Sequence, residues 1–534
     1  MWPAVIIGRP VPLLPTADWL ASAQMLAVVG YVLAQLLIVV YASHRYLLLW
    51  RWWRGRRRSS AMRTGIDGGE RLPHVTVQLP VFNERSVIVR LIDAVAALDY
   101  PHERLEIQVL DDSDDSTREL AAASVARHRS RGLDIHHLHR PRRTGCKAGA
   151  LAAGLARARG ELIAVFDADF VPPPDFLRRT TPRFADGSVG MVQARWGHLN
   201  RSRSPFTAAQ ATLLDAHFLI EHRARMDAGL FFNFNGTAGV WRRACVEDAG
   251  GWSHDTLTED LDLSYRAQLR GWRFLFDETL EAPAELPGDM EALKSQQRRW
   301  TKGAIQTARK VLPQLWRAPL PARVKIEAFF HLTSNAVYPL LLALGLLLLP
   351  VLLARSSLPP AAAWAIQGAV LVLGVVPVAV FLAAGRRAAG GSLGAVLHDV
   401  PAALMLGIGL SVNNARAVVE GLGGRVGEWE RTPKTGDTTG RPASRCYPSA
   451  RSMAGRTEIA LSLWFVSVGA FAWRGGHLGA LPFSALLVVG FALVGVGSLL
   501  ASHPARRSRD AAALAVPGVP AALRVGRSCA TAGP

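Results

Sequence analysis

No feature constrains this chain more than the stretch Trp19–Ser43, which carries no charged side chain and is rich in Leu, Val and Ala. At a rise of about 1.5 Å per residue, such a helix can cross a hydrocarbon core of roughly 30 Å. The cluster Arg51, Arg54, Arg56, Arg57 and Arg58 follows the apolar run rather than preceding it, and no small-residue cleavage site closes the run. That order marks an anchor, not a cleaved signal peptide. With Trp50, Trp52 and Trp53 as interfacial aromatics, the positive-inside rule puts the N-terminus outside and residue 60 in the cytoplasm.

Two further charge-free runs, Phe329–Ala354 and Ser356–Gly385, are separated by Arg355 and a Pro359-Pro360 turn and read as a helical hairpin. Ile459–Trp473 and Gly475–Ser502 form a second hairpin, whose short first arm borrows Glu458 and Arg474 at the interfaces. Val400–Ala415 contains Pro401, is short for a span and leads into Asn413, Asn414 and Arg416, so it reads as an interfacial or re-entrant helix on the cytoplasmic side. Five spans result, in a multi-pass protein of the cell membrane. The chain divides into an anchor with its basic flank (1–60), a cytoplasmic domain (61–325), a hairpin (326–390), an interfacial helix and cytoplasmic loop (391–456), a second hairpin (457–503) and a basic tail (504–534).

Composition narrows the partners. Half of the 534 residues are hydrophobic and 19% are charged, which excludes a disordered chain. Cys146, Cys245, Cys446 and Cys529 are too scattered for a disulfide framework or a zinc site. The formal charge of +19 suits nucleic acid, an anionic membrane face or a phosphorylated substrate. Nucleic-acid modules are absent from the sequence, so the charge is assigned to membrane lipids and to a phosphate-rich substrate.

Within the cytoplasmic stretch, His74–Pro80, Leu105–Leu110 and Glu161–Phe166 read as buried strands, with helical patterns over Ser86–Leu98, Thr117–Arg129 and Lys147–Ala158. Alternation of this kind predicts an α/β fold with a parallel sheet, and ligands in such sheets bind at the carboxyl ends of the strands. Acidic clusters sit at two of those ends. Asp111 and Asp112 follow one strand, and Asp167 and Asp169 follow another. Asp114 and Ser116 are the better caps for the helix at Thr117, which leaves Asp111 and Asp112 to face a ligand. The sequence holds no Gly-rich phosphate loop. Two carboxylates two residues apart can instead hold Mg²⁺ or Mn²⁺, which neutralises a diphosphate. Thr258-Glu259-Asp260 opens a helix, where Thr258 is a natural N-cap. Gln296-Gln297-Arg298-Arg299-Trp300 is a cationic, aromatic cluster on a helix leading to the membrane.

In that order, DDS at 111–113, DAD at 167–169, TED at 258–260 and QxxRW at 296–300, followed by apolar helices, resemble the membrane-integrated family 2 glycosyltransferases. These include cellulose, hyaluronan and chitin synthases and the cellulose-synthase-like glucomannan mannosyltransferases. The resemblance implies a GT-A-type, Rossmann-like nucleotide-sugar transferase domain set between transmembrane helices. It implies Asp260, with Glu259 beside it, as the general base. Asp167 and Asp169 would bind metal and donor diphosphate, and Asp111 and Asp112 would lie near the nucleoside. Lys147, in GCKAGAL, matches a basic donor-binding residue, although Cys146 stands where the family pattern has His. Arg299 would hold the diphosphate. Trp300, Asn235 and Gly236 would form the acceptor site, with Trp196 and Trp241 as sugar-stacking or core residues. Glu428–Lys434 (EWERTPK) resembles the gating loop of cellulose synthase, giving Lys434 a donor contact. The cyclic-di-GMP-binding barrel of bacterial cellulose synthase has no counterpart in the tail. The activity implied is inverting transfer of a hexose, from UDP-glucose first or GDP-mannose second, onto a β-linked glycan that is then moved across the membrane. Transfer of one sugar to a ceramide or diacylglycerol lipid is the second reading, and a non-catalytic membrane scaffold the third.

Overall fold

The computed structural model describes residues 16–59, 72–354, 368–369, 371–424, 436 and 454–502. The chain opens with a 44-residue helix, α1 (Thr16–Ser59), which runs past the apolar stretch and through its basic flank. The chain then builds one seven-stranded sheet from β1 (Val75–Val81), β2 (Leu105–Asp111), β3 (Asp134–His139), β4 (Leu162–Val165), β5 (Val189–His198), β6 (Gly239–Arg242) and β7 (Arg273–Ala284). Its order is β3-β2-β1-β4-β6-β5-β7. All neighbours are parallel except β6, which runs antiparallel to both β4 and β5. The sheet is therefore mixed, where a parallel one was expected. Residues 239–242 (GVWR) are too few for periodicity to reveal a strand's direction.

Helices cover both faces. The helix α2 (Ile88–Ala96) buries Ile88, Leu91, Ile92 and Val95, the stripe expected of a 3.6-residue period. It packs with α3 (Thr117–Arg129) against Val75, Val77, Leu79, Ile107 and Val109. On the opposite face of β1 and β2 the buried residues are polar. Thr76 Oγ1 donates to Glu106 Oε2 at 2.7 Å, and Gln78 Nε2 to Gln108 Oε1 at 3.1 Å, following the strand register. The helix α4 (Cys146–Leu155) lies on this ladder at Gly154, where a Cβ would come within 2.6 Å of Gln78 Nε2. Such an approach requires glycine. Short helices α5 (Phe176–Thr180), α6 (Pro205–Ala216), α7 (Arg223–Asp227) and α8 (Arg243–Asp248) fill the connections, and α9 (Glu259–Leu269) precedes β7.

The remaining described chain is helical. It comprises α10 (Met290–Arg317), α11 (Ala322–Thr333), α12 (Val337–Ala354), α13 (Val376–Ala388), α14 (Leu393–Gly409), α15 (Ser411–Leu422), α16 (Ala454–Arg474) and α17 (Leu481–Ser502). Three helical stretches among the described residues are long and apolar enough to cross a membrane: Ser22–Arg56, Ala322–Ala354 and Leu478–Ala501. The pair α14 and α15, bent by 48°, would make a fourth if it is one span. The sequence suggested five. Arg355 and the Pro359-Pro360 turn lie outside the described residues, and beyond them a π-helical turn, Leu371–Val375, leads directly into α13. Glu458, expected at an interface, is instead fully buried against Lys294 of α10 at 2.8 Å. A buried ion pair replaces a solvated end.

The first anchor is locked to the catalytic domain by charge. Glu327 of α11 is 1% exposed and faces two guanidinium groups, Arg51 and Arg225 at 3.1 Å, with the His44 ring 3.0 Å away. Arg45 of α1 pairs with Glu221. Removing one member of a buried ionic cluster strands the rest without compensation. Glu327→Ala should therefore destabilise the detergent-solubilised protein by about 3–5 kcal/mol, read as a lowered midpoint of thermal or denaturant unfolding. An unchanged midpoint would show that water already solvates this cluster.

Candidate active site

The sheet delivers its strand ends to one cleft. From the end of β1 come Phe82 and Glu84, from β2 Asp112, from β4 Asp167 and Asp169, from the approach to β6 Asn235 and Gly236, from the start of α9 Glu259 and Asp260, and from α10 Arg299 and Trp300. The non-glycine residues with positive φ among the described residues are Asn83, Cys146 and Ala238. Each adjoins a residue lining the cleft or lies within two of one, so backbone strain is concentrated around it.

Lys147 is the centre of the charge arrangement. Its Nζ lies 2.6 Å from Asp167 Oδ1 and 3.9 Å from Glu259 Oε1, and it donates to the Gly236 carbonyl at 2.9 Å. Burial opposes a charge on this ammonium, but Asp167 and Glu259 outweigh it and the pKa is raised. Burial, reinforced by the adjacent Glu259 carboxylate, pushes the Asp260 carboxyl up to about 7. Burial also raises Glu259. Asp260 is not an isolated acid, since its Oδ1 accepts the Leu261 N–H at 2.8 Å in the first turn of α9. Arg299 is lowered by burial, although Glu259, Asp167, Asp260 and Asp169 all favour its charge. A weakly basic carboxylate beside fixed cations can take a proton from a hydroxyl near neutral pH, and the cations can stabilise a leaving anion.

No group of three or more His, Cys, Asp or Glu side chains among the described residues is arranged to hold a metal. Asp167 and Asp169 nevertheless supply two hard oxygen donors at the cleft wall. Mg²⁺ and Mn²⁺ are commonly held by one or two carboxylates together with substrate phosphates and water. The residues present fit that pattern.

Other residues from the sequence reading are placed as follows. Asp112 lines the cleft, with both oxygens gripped by Arg140 at 2.7 and 2.6 Å. Asp111 does not line it. Asp111 is fully buried and accepts from His137 at 2.8 Å and from the Ser113 amide at 2.9 Å, which hold its carboxyl low although burial opposes this. Neither expected residue caps α3: Ser116 holds the N-cap position without a side-chain bond, Asp114 bonds Asn83, and Asp115 accepts from the Thr117 amide at 2.9 Å. Thr258 makes no side-chain cap and sits 3.2 Å from Thr307 Oγ1 instead. Trp196 and Trp300 both line the cleft, with ring centroids 6.3 Å apart. Trp241 is a core residue, fully buried against Phe234, Trp252 and Phe274. Asn235 lines the cleft, but its amide turns toward His217 and His222. Lys434 and residues 428–433 lie outside the described residues. Gly436 is described, and its N–H donates to Glu285 Oε2, a cleft-lining side chain, at 3.1 Å.

Sequence reasoning missed several supports. Gln193 accepts the Asn235 N–H and donates to the carbonyls of Thr237 and Ala238, while Thr237 Oγ1 accepts the Asp167 amide at 2.9 Å. Arg143 lies 3.6 Å over the Phe82 ring and lines the cleft. On α10, Arg298 forks onto Glu420 of α15 with two 2.9 Å bonds. Opposite-charge pairing across helices carries no local sequence signal.

A family model described as glycosyltransferase like family 2 matches residues 73–303. The chain is 36% identical to glucomannan 4-beta-mannosyltransferase 7 of Arabidopsis thaliana over 392 residues, 71% of this chain and 68% of that protein. To glucomannan 4-beta-mannosyltransferase 2 of the same plant it is 43% identical over 255 residues, an alignment spanning 47% of this chain and 48% of the relative. Among solved structures, mannosyltransferase PcManGT from Pyrobaculum calidifontis, in complex with GDP-Man and Mn2+, superposes with a TM-score of 0.51 at 20% identity, covering 73% of this chain and 99% of that one. That likeness is one of fold, the GT-A-type α/β domain.

The raised Asp260 has a stability signature. Between the ordinary value of 3.8 and about 7, the folded protein keeps a proton that the unfolded chain has released. Stability therefore falls as pH rises through this window and stays reduced above it. Asp260→Asn removes the titration. Its Tm should match the parent near about pH 4 and exceed it at about pH 8, as thermal unfolding across pH would read. A lower Tm at the higher pH would mean that the ionised carboxylate is stabilising.

Proposed function

The chain belongs to glycosyltransferase family 2, and on that premise we propose that it transfers mannosyl residues from GDP-mannose to a growing β-1,4-linked mannan or glucomannan. The observation that carries the reading is the raised Asp260 carboxyl set among Lys147, Arg299 and the Asp167–Asp169 pair. Support for mannose comes from the names of the Arabidopsis relatives, so the preference for UDP-glucose drawn from sequence gives way to GDP-mannose. Those names also favour a glycan acceptor over a lipid and give the scaffold reading no support.

In this mechanism the acceptor hydroxyl enters beside Gly236, whose missing side chain leaves room. A Cβ there would sit 3.0 Å from Asp260 Oδ2 and 3.3 Å from Lys147 Nζ. Asp260 takes the hydroxyl proton as the oxygen attacks C1 of the sugar from the face opposite the diphosphate, which inverts the anomeric centre. Lys147 and Arg299 hold the departing diphosphate. Asp167 and Asp169 would hold Mg²⁺ or Mn²⁺, which supplies charge neutralisation to the leaving group when bound. Trp300 and Trp196 offer ring faces for sugar stacking. Lys434, on the EWERTPK stretch, is the further donor contact in this reading, and Asp112 borders the nucleoside. The catalytic domain faces the cytoplasm, where nucleotide sugars are made, and the polymer leaves through the helices.

Three measurements test this. Membranes containing the protein should convert labelled GDP-mannose into a polymer retained on sizing, and a glycolipid-sized product would favour single transfer. The acceptor kcat/KM should fall as pH drops through about 7, because protonated Asp260 is no base, and Asp260→Asn should abolish transfer while donor binding survives. EDTA should abolish activity and added Mn²⁺ or Mg²⁺ should restore it. Full activity of Asp169→Ala in excess EDTA would remove the metal from this account.

A further inference from the structure

A hydrogen-bond chain of fixed polarity runs from the cleft into the first anchor helix. His222 Nε2 lies 3.0 Å from the Asn233 carbonyl oxygen and 2.7 Å from the Asn235 side chain. A backbone carbonyl only accepts, so His222 carries its proton on Nε2 and must meet the oxygen of the Asn235 amide. At the other end, His217 Nδ1 lies 3.0 Å from Glu221 Oε2. A carboxylate also only accepts, so the His217 proton is on Nδ1 and its Nε2 offers a lone pair. That lone pair receives Asn235 Nδ2 at 3.0 Å. Two independent ends impose one amide orientation.

Local structure and charge maintain it. Residues His217–His222 form a π turn, which brings the two rings to 4.4 Å between centroids. Burial, with Arg225 nearby, pushes His222 down to about 3 and His217 well below its usual value, so both rings stay neutral. Glu221 is held by Arg225 at 3.2 Å and by Arg45 of α1. One Nδ2 hydrogen of Asn235 is taken by His217. The other remains, on a residue that lines the cleft next to Gly236 and Asp260.

We propose that His217 and His222 are positioning residues that hold Asn235 as an N–H donor to a hydroxyl oxygen of the acceptor sugar, with Arg45 of the anchor helix securing the far end. This rests on the glycosyl-transfer reading. With purified full-length protein and GDP-mannose, transfer to mannooligosaccharides and hydrolysis of the donor by water are measured side by side. His217→Phe keeps the ring and loses both nitrogens. It should raise the acceptor KM about tenfold, the worth of one hydrogen bond, and leave donor KM and donor hydrolysis unchanged. His217→Gln, which can return a carbonyl to Asn235 Nδ2, should recover part of the loss. Arg45→Met should raise the acceptor KM by a smaller factor, and it reads the same chain if His217→Phe does not fold. An unchanged acceptor KM, or an equal fall in hydrolysis and transfer, would overturn the proposal. A parent protein that neither hydrolyses nor transfers would sink the glycosyl-transfer reading itself.

Discussion

Lys147 is the residue on which the cleft depends. Asp167, Glu259 and Asp260 crowd a partly desolvated space, where like charges repel and each ionised oxygen loses hydration. One ammonium, 2.6 Å from Asp167 and 3.9 Å from Glu259, keeps the group compact, and its bond to the Gly236 carbonyl ties in the backbone. The rest of the local structure is arranged to bring that nitrogen there. Gly145 and Cys146 both take left-handed conformations at the start of α4, at φ of 71° and 47°, and Lys147 follows at once. The family pattern has His where Cys146 stands, yet the lysine after it occupies the centre of the acidic group. Glycine at 154 then lets α4 lie close on the sheet.

A second dependence joins the catalytic domain to its helices. The single helix α10 carries Arg299 and Trp300 to the cleft, offers Arg298 to Glu420 of α15 and buries Lys294 against Glu458 of α16. Gly421 lets α15 approach until a Cβ there would meet Ile305 at 2.9 Å. The Glu327 cluster performs the same joining on the other side, through α1 and α11. These are ionic contacts between segments far apart in the chain, and they hold site and membrane helices in one frame.

Much of this was legible in the sequence because it is local. Strand-end acids, the DAD pair, the start of α9 and the Arg299-Trp300 step each announce themselves within a few residues, and their order carried the family. What was hidden is what depends on pairing at a distance. Arg140 reaches Asp112 only because β3 lies beside β2, and the antiparallel entry of β6 follows from the path of the chain rather than from its four residues. Asp114 is drawn away from the start of α3 by Asn83, which β1 brings over, and Asp115 bonds the Thr117 amide instead. Trp241 reads equally well as a sugar platform or as core until its neighbours are known. The short first arm of the last hairpin looked like a helix in need of solvated ends, and the buried lysine on α10 that removes this need is 164 residues away.

The absence of a side chain at Gly236 has a consequence for how such a protein can diverge. The floor between Asp260 and Lys147 is peptide backbone, with its carbonyl already committed to Lys147 and its φ of 80° unsuited to other residues. Mutation has almost no purchase there, so the surface beneath the reacting atoms is effectively frozen. Under the proposed mechanism, drift toward a new sugar would instead work from the walls, through Trp196, Trp300 and Phe82, uncharged side chains whose exchange leaves the charge balance intact. In that reading substrate range and chemistry fall to different sets of positions, and one can change over a lineage while the other stays still.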